Sequence, residues 1–243
     1  MIDSAVLIFV IVLIVSVLLT LYTKKLTITA AVVAALIASF IYAGVGFCGI
    51  ILLGSFFIMG VLATSHKKNL KRYLSSEEDS GRRNTAQVLA NGGVALILAV
   101  TALVFPDLEE IMLLLIACSF SSATADTLSS ELGMVYGKRF YNILSFKPDM
   151  KGENGVISFE GTMSGLAGSV IIALLYGLCT NWYLSATLII IVAGIIGNLS
   201  DSILGATLER NNILGNNAVN FLNTMIAATA GGIMSFVRES YFM

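Results

Sequence analysis

Two aspartates interrupt apolar stretches, each followed by a hydroxyl residue: Ala125-Asp126-Thr127-Leu128 and Ser200-Asp201-Ser202-Ile203. A carboxylate within hydrocarbon is costly and tends to mark function. The first lies in Ser121-Ser122-Ala123-Thr124-Ala125-Asp126-Thr127-Leu128-Ser129-Ser130-Glu131, with six hydroxyls and two carboxylates in eleven residues. Asp126 and Glu131 are five apart, roughly 140° around a regular helix, so spacing alone does not bring them to one ion. Either the helix ends before Glu131, or Glu131 does a different job. Around the second aspartate, Asn198, Asp201 and Gly205 share a helical face. Aspartates with amide and hydroxyl neighbours suit Mg²⁺, which takes hard oxygen ligands. Histidine and thiol chemistry is not indicated. His66 is a lone loop histidine, and Cys48, Cys118 and Cys179 lack metal-ligand spacing and read as reduced packing residues.

A second set of residues suits anions. Arg82-Arg83-Asn84 leads into Gln87 and Asn91-Gly92-Gly93, and Asn84, Gln87 and Asn91 make one helical stripe at i, i+3 and i+7. Such amides also serve as glue between membrane helices, but two arginines at the end of the stripe favour a site. Asn154-Gly155-Val156-Ile157-Ser158 follows Lys151 and precedes Gly161-Thr162, a glycine-containing helix start that could cradle phosphate. A plain turn with a helix cap has the same appearance. Asn216, Asn220 and Asn223 form a further stripe, with Asn217 beside it. The loop from Lys138 to Lys151 adds cations for neutralising phosphates.

These residues need a membrane to position them. Hydrophobic residues are 57% and charged residues 12% of 243, against about 45–50% and 25% in soluble domains, and mean hydropathy is +0.90. The chain is therefore all-α and polytopic. Net charge is −1, which excludes nucleic acid as a partner. Spans fall near 4–22, 26–43, 47–63, 86–105, 111–130, 161–179, 185–204 and 217–237. Eight fits best; seven and nine remain open because the gap at Gly44-Val45-Gly46 is tight. With eight, 13 of 14 Lys/Arg fall on one side and only Arg238 on the other. The positive-inside rule makes the basic side cytoplasmic and both termini external. Residues 1–63 read as a three-helix scaffold, 64–85 as a charged cytoplasmic loop and 86–243 as a five-helix catalytic bundle, within one membrane domain.

The aspartates are offset by 75 residues, and Gly93 matches Gly168 at the same offset. This weak parallel repeat of two helices brings both aspartates to the same membrane face. The fourth, sixth and eighth spans begin at that face, so their positive dipole ends are offered to anions there.

Five ordered motifs between 81 and 223 resemble the integral membrane family that includes the plant phytyl-phosphate kinase of vitamin E synthesis. They are Gly81-Arg82-Arg83-Asn84 through Asn91-Gly92-Gly93, Ala125-Asp126-Thr127 through Gly133, Asn154-Gly155 through Thr162, Asp201-Ser202 through Thr207, and Asn216-Asn217 through Asn220. The resemblance implies transfer of a nucleotide γ-phosphate, with CTP a plausible donor, to a prenyl monophosphate of phytyl or geranylgeranyl type. It implies Mg²⁺ on Asp126 and Asp201, with Glu131 assisting. Arg82, Arg83, Lys151, Asn154 and Ser158 would bind phosphates, and Asn84, Asn91, Asn217 and Asn220 would shape the site. A transporter or flippase for an anionic lipid or small anion is the rival class. Short loops and the lack of a transit peptide point to a prokaryotic plasma membrane, with the site facing the cytoplasm.

Overall fold

The computed structural model describes residues 3–74 and 82–242. The acidic part of the 64–85 loop, and Gly81 of the first motif, lie outside those residues. Eight α-helices account for nearly all of the structure: α1 (Ser4–Tyr22), α2 (Ile28–Ser65), α3 (Lys68–Leu74), α4 (Thr85–Val104), α5 (Glu109–Tyr136), α6 (Phe159–Cys179), α7 (Leu184–Leu204) and α8 (Asn216–Phe242). Seven of them are long and apolar enough to cross a membrane; the exception is α3. Their starts carry side-chain caps where the sequence supplies an oxygen. Asp3 accepts from Ala5 N–H, Thr27 from Ala30 N–H, Asn84 from Gln87 N–H and Ser158 from Gly161 N–H. Each satisfies a donor that the first helical turn leaves open.

α2 crosses twice. Its 38 residues would extend about 57 Å if straight, yet the Lys25 ammonium before it donates to Ser65 Oγ at its far end, 2.7 Å away. The reversal is at Gly46, whose φ of 67° and ψ of −158° interrupt the helix. Arg83 touches both arms of the hairpin. Its backbone pairs with the segment entering the first arm, accepting from Thr27 N–H (3.1 Å) and donating to Lys25 O (2.9 Å), and its side chain lies over Gly60 of the second. The chain thus makes eight passes, and its two ends are on the same face.

α5 is the centre. Its span is 67% buried, against 6% for α1 and 28–39% for the rest, and it touches α2, α4, α6, α7 and α8. Its enclosed stretch explains this: Ala117, Cys118, Ser119, Ser121, Ser122, Ala123, Thr124 and Ala125 are all small and all buried, so neighbouring backbones can approach closely. α6 comes close to the α5 backbone, where a Cβ on Gly161 would lie 2.7 Å from Ser129 O and one on Gly165 2.8 Å from Ala125 O.

Between α5 and α6 the chain forms a short antiparallel hairpin, β1 (Tyr141–Asn142) with β2 (Val156–Ile157). After α7 it makes a π-helical turn, Gly205–Glu209. The loops joining α1 to α2, α2 to α4, α5 to α6 and α7 to α8 all meet on one face: Lys25 bonds Ser65, His66 bonds Tyr136, Lys71 pairs with Glu131, and Arg210 bonds Asn154. These are the loops that carry the Lys and Arg residues.

Candidate functional site

Asp126 on α5 and Asp201 on α7 lie close enough to interact, both half-buried near the basic face. The parallel course of α5 and α7 puts them level. Asp201 is fixed from α8: Asn223 Nδ2 donates to its Oδ1 at 2.8 Å. Asn223 is itself held by Ser122 of α5, whose hydroxyl donates to Asn223 Oδ1 at 3.1 Å. Three side chains from three helices thus form one hydrogen-bonded group, Ser122–Asn223–Asp201, with Asp126 beside it. Gly197 leaves room for it, since a Cβ there would sit 2.1 Å from Ser122 Oγ.

Further charge surrounds the pair. Glu131 and Glu209 act electrostatically on Asp126, and Arg83 feels both Glu131 and Asp126. α5 continues regularly through Glu131, which forms an ion pair with Lys71. The same ammonium donates to Ala63 O (2.8 Å) and Thr64 O (2.9 Å), carbonyls in the last turn of α2. Glu131 therefore ties α2 to α5 while adding negative potential near Asp126. The Arg83 guanidinium lies 5.5 Å from the Phe56 ring centroid and forms no ion pair with the described acidic side chains. A half-buried cation held beside carboxylates without closing on them can receive an anion.

Other expected site residues are placed less centrally. Asn84 caps α4 in a reciprocal box with Gln87: its Oδ1 accepts from Gln87 N–H, and Gln87 Oε1 accepts from Asn84 N–H. The proposed amide stripe is thus partly a helix start. Asn91 donates to Gln87 O (3.0 Å), and its buried Oδ1 has no hydrogen-bond partner among the described residues. It lines a cavity of about 40 Å³ with Arg83, Gln87, Ile37, Leu53 and Phe56. Ser158 caps α6 and is buried against Gly133. The Asn154 carbonyl accepts from Arg210 Nε at 2.6 Å. Lys151 lies 5.3 Å from the Phe140 ring. Arg82 and Asn217 are exposed, and Asn220 is half-buried.

Arg210 also bonds Asp149 at 2.7 Å. That guanidinium, the Met150 N–H and the Asn142 amide hold the Asp149 carboxyl below the usual carboxylate range. Gly155, at φ +74°, packs on Ala206 of the π-helical turn so closely that a Cβ would lie 2.3 Å from the alanine Cβ. The α5–α6 hairpin is therefore clamped to the end of α7.

Sequence reasoning counted Asn223 in an amide stripe without giving it a role of its own, and gave Lys71 no part. Asn223 carried a readable signal, an amide one turn deeper than Asn220 among apolar residues. Lys71 carried none, being one of several cations in its loop. Several hydroxyls turn back onto their own helix, Thr127 to Ala123 O, Ser130 to Asp126 O and Ser202 to Asn198 O. Ser and Thr do this wherever water is scarce.

The donor set fits Mg²⁺. Two facing carboxylates repel, and a divalent cation between them removes that repulsion while taking hard oxygen ligands. Among the described residues no group of three or more His, Cys, Asp and Glu side chains forms a metal cluster. Two protein carboxylates leave further ligand positions for phosphate oxygens and water, the usual arrangement for Mg²⁺ with nucleotides.

Eight apolar passes around a polar cluster at one face define a polytopic integral membrane protein. The chain matches the family described as "Integral membrane protein DUF92" over residues 10–228 and belongs to it. It is 35% identical over 188 residues to "Uncharacterized membrane protein MJ0933" of Methanocaldococcus jannaschii, covering 76% of each chain. It is 28% identical over 217 residues to "Protein VTE6, chloroplastic" of Arabidopsis thaliana, covering 86% of this chain and 64% of that protein. "Protein PGR" of the same plant is 30% identical over 227 residues, covering 74% and 79%. This is the family that the motifs from 81 to 223 resemble. No solved structure matches.

Proposed function

We propose that the protein is a Mg²⁺-dependent membrane phosphotransferase. It moves the γ-phosphate of a nucleoside triphosphate, CTP being a plausible donor, to a prenyl monophosphate of phytyl or geranylgeranyl type. The observation that carries this reading is the meeting of Asp126 and Asp201 at the basic face, with the Arg83 cation near enough to act on Asp126. Membership of the family supports it.

A phosphate monoester is largely dianionic at neutral pH, with a second pKa of about 6. The acceptor oxygen therefore needs no strong base, which accounts for a site built from Asp, Asn and Arg. That oxygen attacks the γ-phosphorus, the bond to the β–γ bridging oxygen breaks, and the nucleoside diphosphate leaves with the electron pair. Catalysis of such a step is positioning and charge neutralisation. When bound, Mg²⁺ neutralises phosphate charge. Asp126 and Asp201 would hold it, with Asn223 and Ser122 setting their orientation and Glu131 adding negative potential. Arg83 would bind the phosphate that lies between the two substrates, and Arg82, Lys151 and the Asn154–Ser158 loop would bind outer phosphates. Asn84, Asn91, Asn217 and Asn220 would shape the surroundings. The small cavity between α2 and α4, polar at Arg83 and Asn91 and apolar at Phe56 and Leu53, suits the carbons next to the acceptor phosphate. The site would face the cytoplasm, where the nucleotide is.

Asp126→Asn and Asp201→Asn test the assignment. Each should reduce turnover by on the order of 10²-fold or more, the scale of removing one preorganised electrostatic contact, and should raise the Mg²⁺ concentration for half-maximal rate. Normal Mg²⁺-dependent turnover in both variants would refute it. Anion counterflow in liposomes without nucleotide would instead favour a transporter.

A further inference from the structure

On the outer side of α6, away from the two aspartates, the α5–α6 hairpin and the first turn of α6 enclose a cavity of about 540 Å³. Lys138, Arg139, Tyr141, Phe159, Glu160 and Thr162 line it, with Ile157 and with Ser158, the residue it shares with the loop proposed above to bind phosphates. The orientation of α6 separates it from the aspartates: Gly161, Gly165 and Gly168 face α5, whereas Phe159 (73% exposed) and Met163 (41% exposed) point outward.

Three properties of this face belong together. Lys138 and Arg139 are exposed and form no ion pair with the described acidic side chains. Glu160, the acid in the lining, accepts the Lys138 backbone N–H at 3.3 Å, so two cations face one carboxylate. Second, the hairpin presents Phe146 (74% exposed) and Met150 (69% exposed) beside Lys147 and Lys151. Apolar side chains interleaved with cations are the mark of a segment at the headgroup boundary. Third, the apolar span of α6 begins at Phe159, which lines the cavity, so the cavity lies beside the end of a membrane-crossing segment. Below it the outer face of α6 continues with Met163, Ile171, Leu174 and Leu178, all exposed.

We infer that this cavity binds an anionic phospholipid of the surrounding leaflet. Its phosphate meets Lys138 and Arg139, its polar headgroup reaches Tyr141 and Thr162, and one acyl chain runs along Phe159 and Met163. The volume is that of a small-molecule pocket and far exceeds what a single ion fills. The site is preformed, because the β1–β2 pairing and the Arg210 contacts to Asp149 and Asn154 hold the hairpin in place. Nothing in this assignment depends on the phosphotransfer reading.

The test uses the full chain in mixed phosphatidylcholine and phosphatidylglycerol nanodiscs, followed by mild detergent extraction and native mass spectrometry of the retained lipid. The wild type should keep phosphatidylglycerol in preference to phosphatidylcholine. Near an anionic surface each Lys or Arg contributes about 1 kcal/mol, so the double variant Lys138→Ala/Arg139→Ala should lose about tenfold or more of that preference. Lys138→Arg should keep it, as should Lys24→Ala in a distant loop. Phe159→Ser should weaken retention of both lipids. Equal retention of the two lipids by the wild type, or an unchanged preference in the double variant with an unaltered melting temperature, would overturn the proposal. So would displacement of the retained phosphatidylglycerol by equimolar phytyl monophosphate, which would assign the cavity to the reaction's own lipid.

Discussion

Asn223 bridges Ser122 and Asp201, so α8 controls a carboxylate on α7 through an amide anchored on α5. Replacing it with leucine keeps the volume but leaves Ser122 Oγ and Asp201 Oδ1 without that partner. Partners behind a metal ligand typically contribute 10–100-fold to affinity or activity. Asn223→Leu should therefore lower turnover by about that factor and raise the Mg²⁺ requirement, while costing about 1–3 kcal/mol of stability. Turnover and melting temperature measured on the same preparation check both, and an unchanged Mg²⁺ requirement would contradict the positioning role. The residue scale also shows what composition can reveal. Asp126 and Asp201 were legible because a carboxylate in an apolar stretch needs a reason. Asn84 and Ser158 were harder to read, since oxygen-bearing side chains that bind phosphate also cap helices, and both are caps. The pairing of Glu131 with Lys71 joins residues 60 positions apart, and no local pattern records it.

Helices were legible from hydropathy, and their reversals less so. The two arms of α2 run together in sequence because the turn between them occupies little more than Gly46. A residue with a Cβ fits the space there, since nothing among the described residues lies within 4 Å, but the backbone conformation is one that glycine alone adopts readily. Gly46→Val should thus destabilise the protein by about 1–3 kcal/mol through strain alone, read as a lower melting temperature in detergent. An unchanged melting temperature would mean that the hairpin is not closed at this residue. The π-helical turn at Gly205–Glu209 lay beyond sequence reading for a related reason. Its geometry answers the close approach of Gly155, a tertiary contact with no periodic signature.

At the scale of the molecule, the distribution of Lys and Arg and the convergence of loops agree. Loops separated by long stretches of sequence meet through Lys25–Ser65, Lys71–Glu131 and Arg210–Asn154. From the asymmetry in positive charge we propose that this face is cytoplasmic. In a cysteine-free background, Ser145→Cys should react with a membrane-impermeant maleimide only from the cytoplasmic side, and Asn181→Cys only from the opposite side. Labelling of both from one side would contradict the eight-pass arrangement.

The central claim is that this face transfers phosphate to a lipid. Its most direct measurement is the purified protein in detergent with phytyl or geranylgeranyl monophosphate, Mg²⁺ and each γ-³²P-labelled nucleoside triphosphate in turn. Labelled prenyl diphosphate, formed with Mg²⁺ and abolished by chelation, is the predicted result. No labelled diphosphate with any pairing of lipid and nucleotide, from protein that retains its fold, would contradict the account.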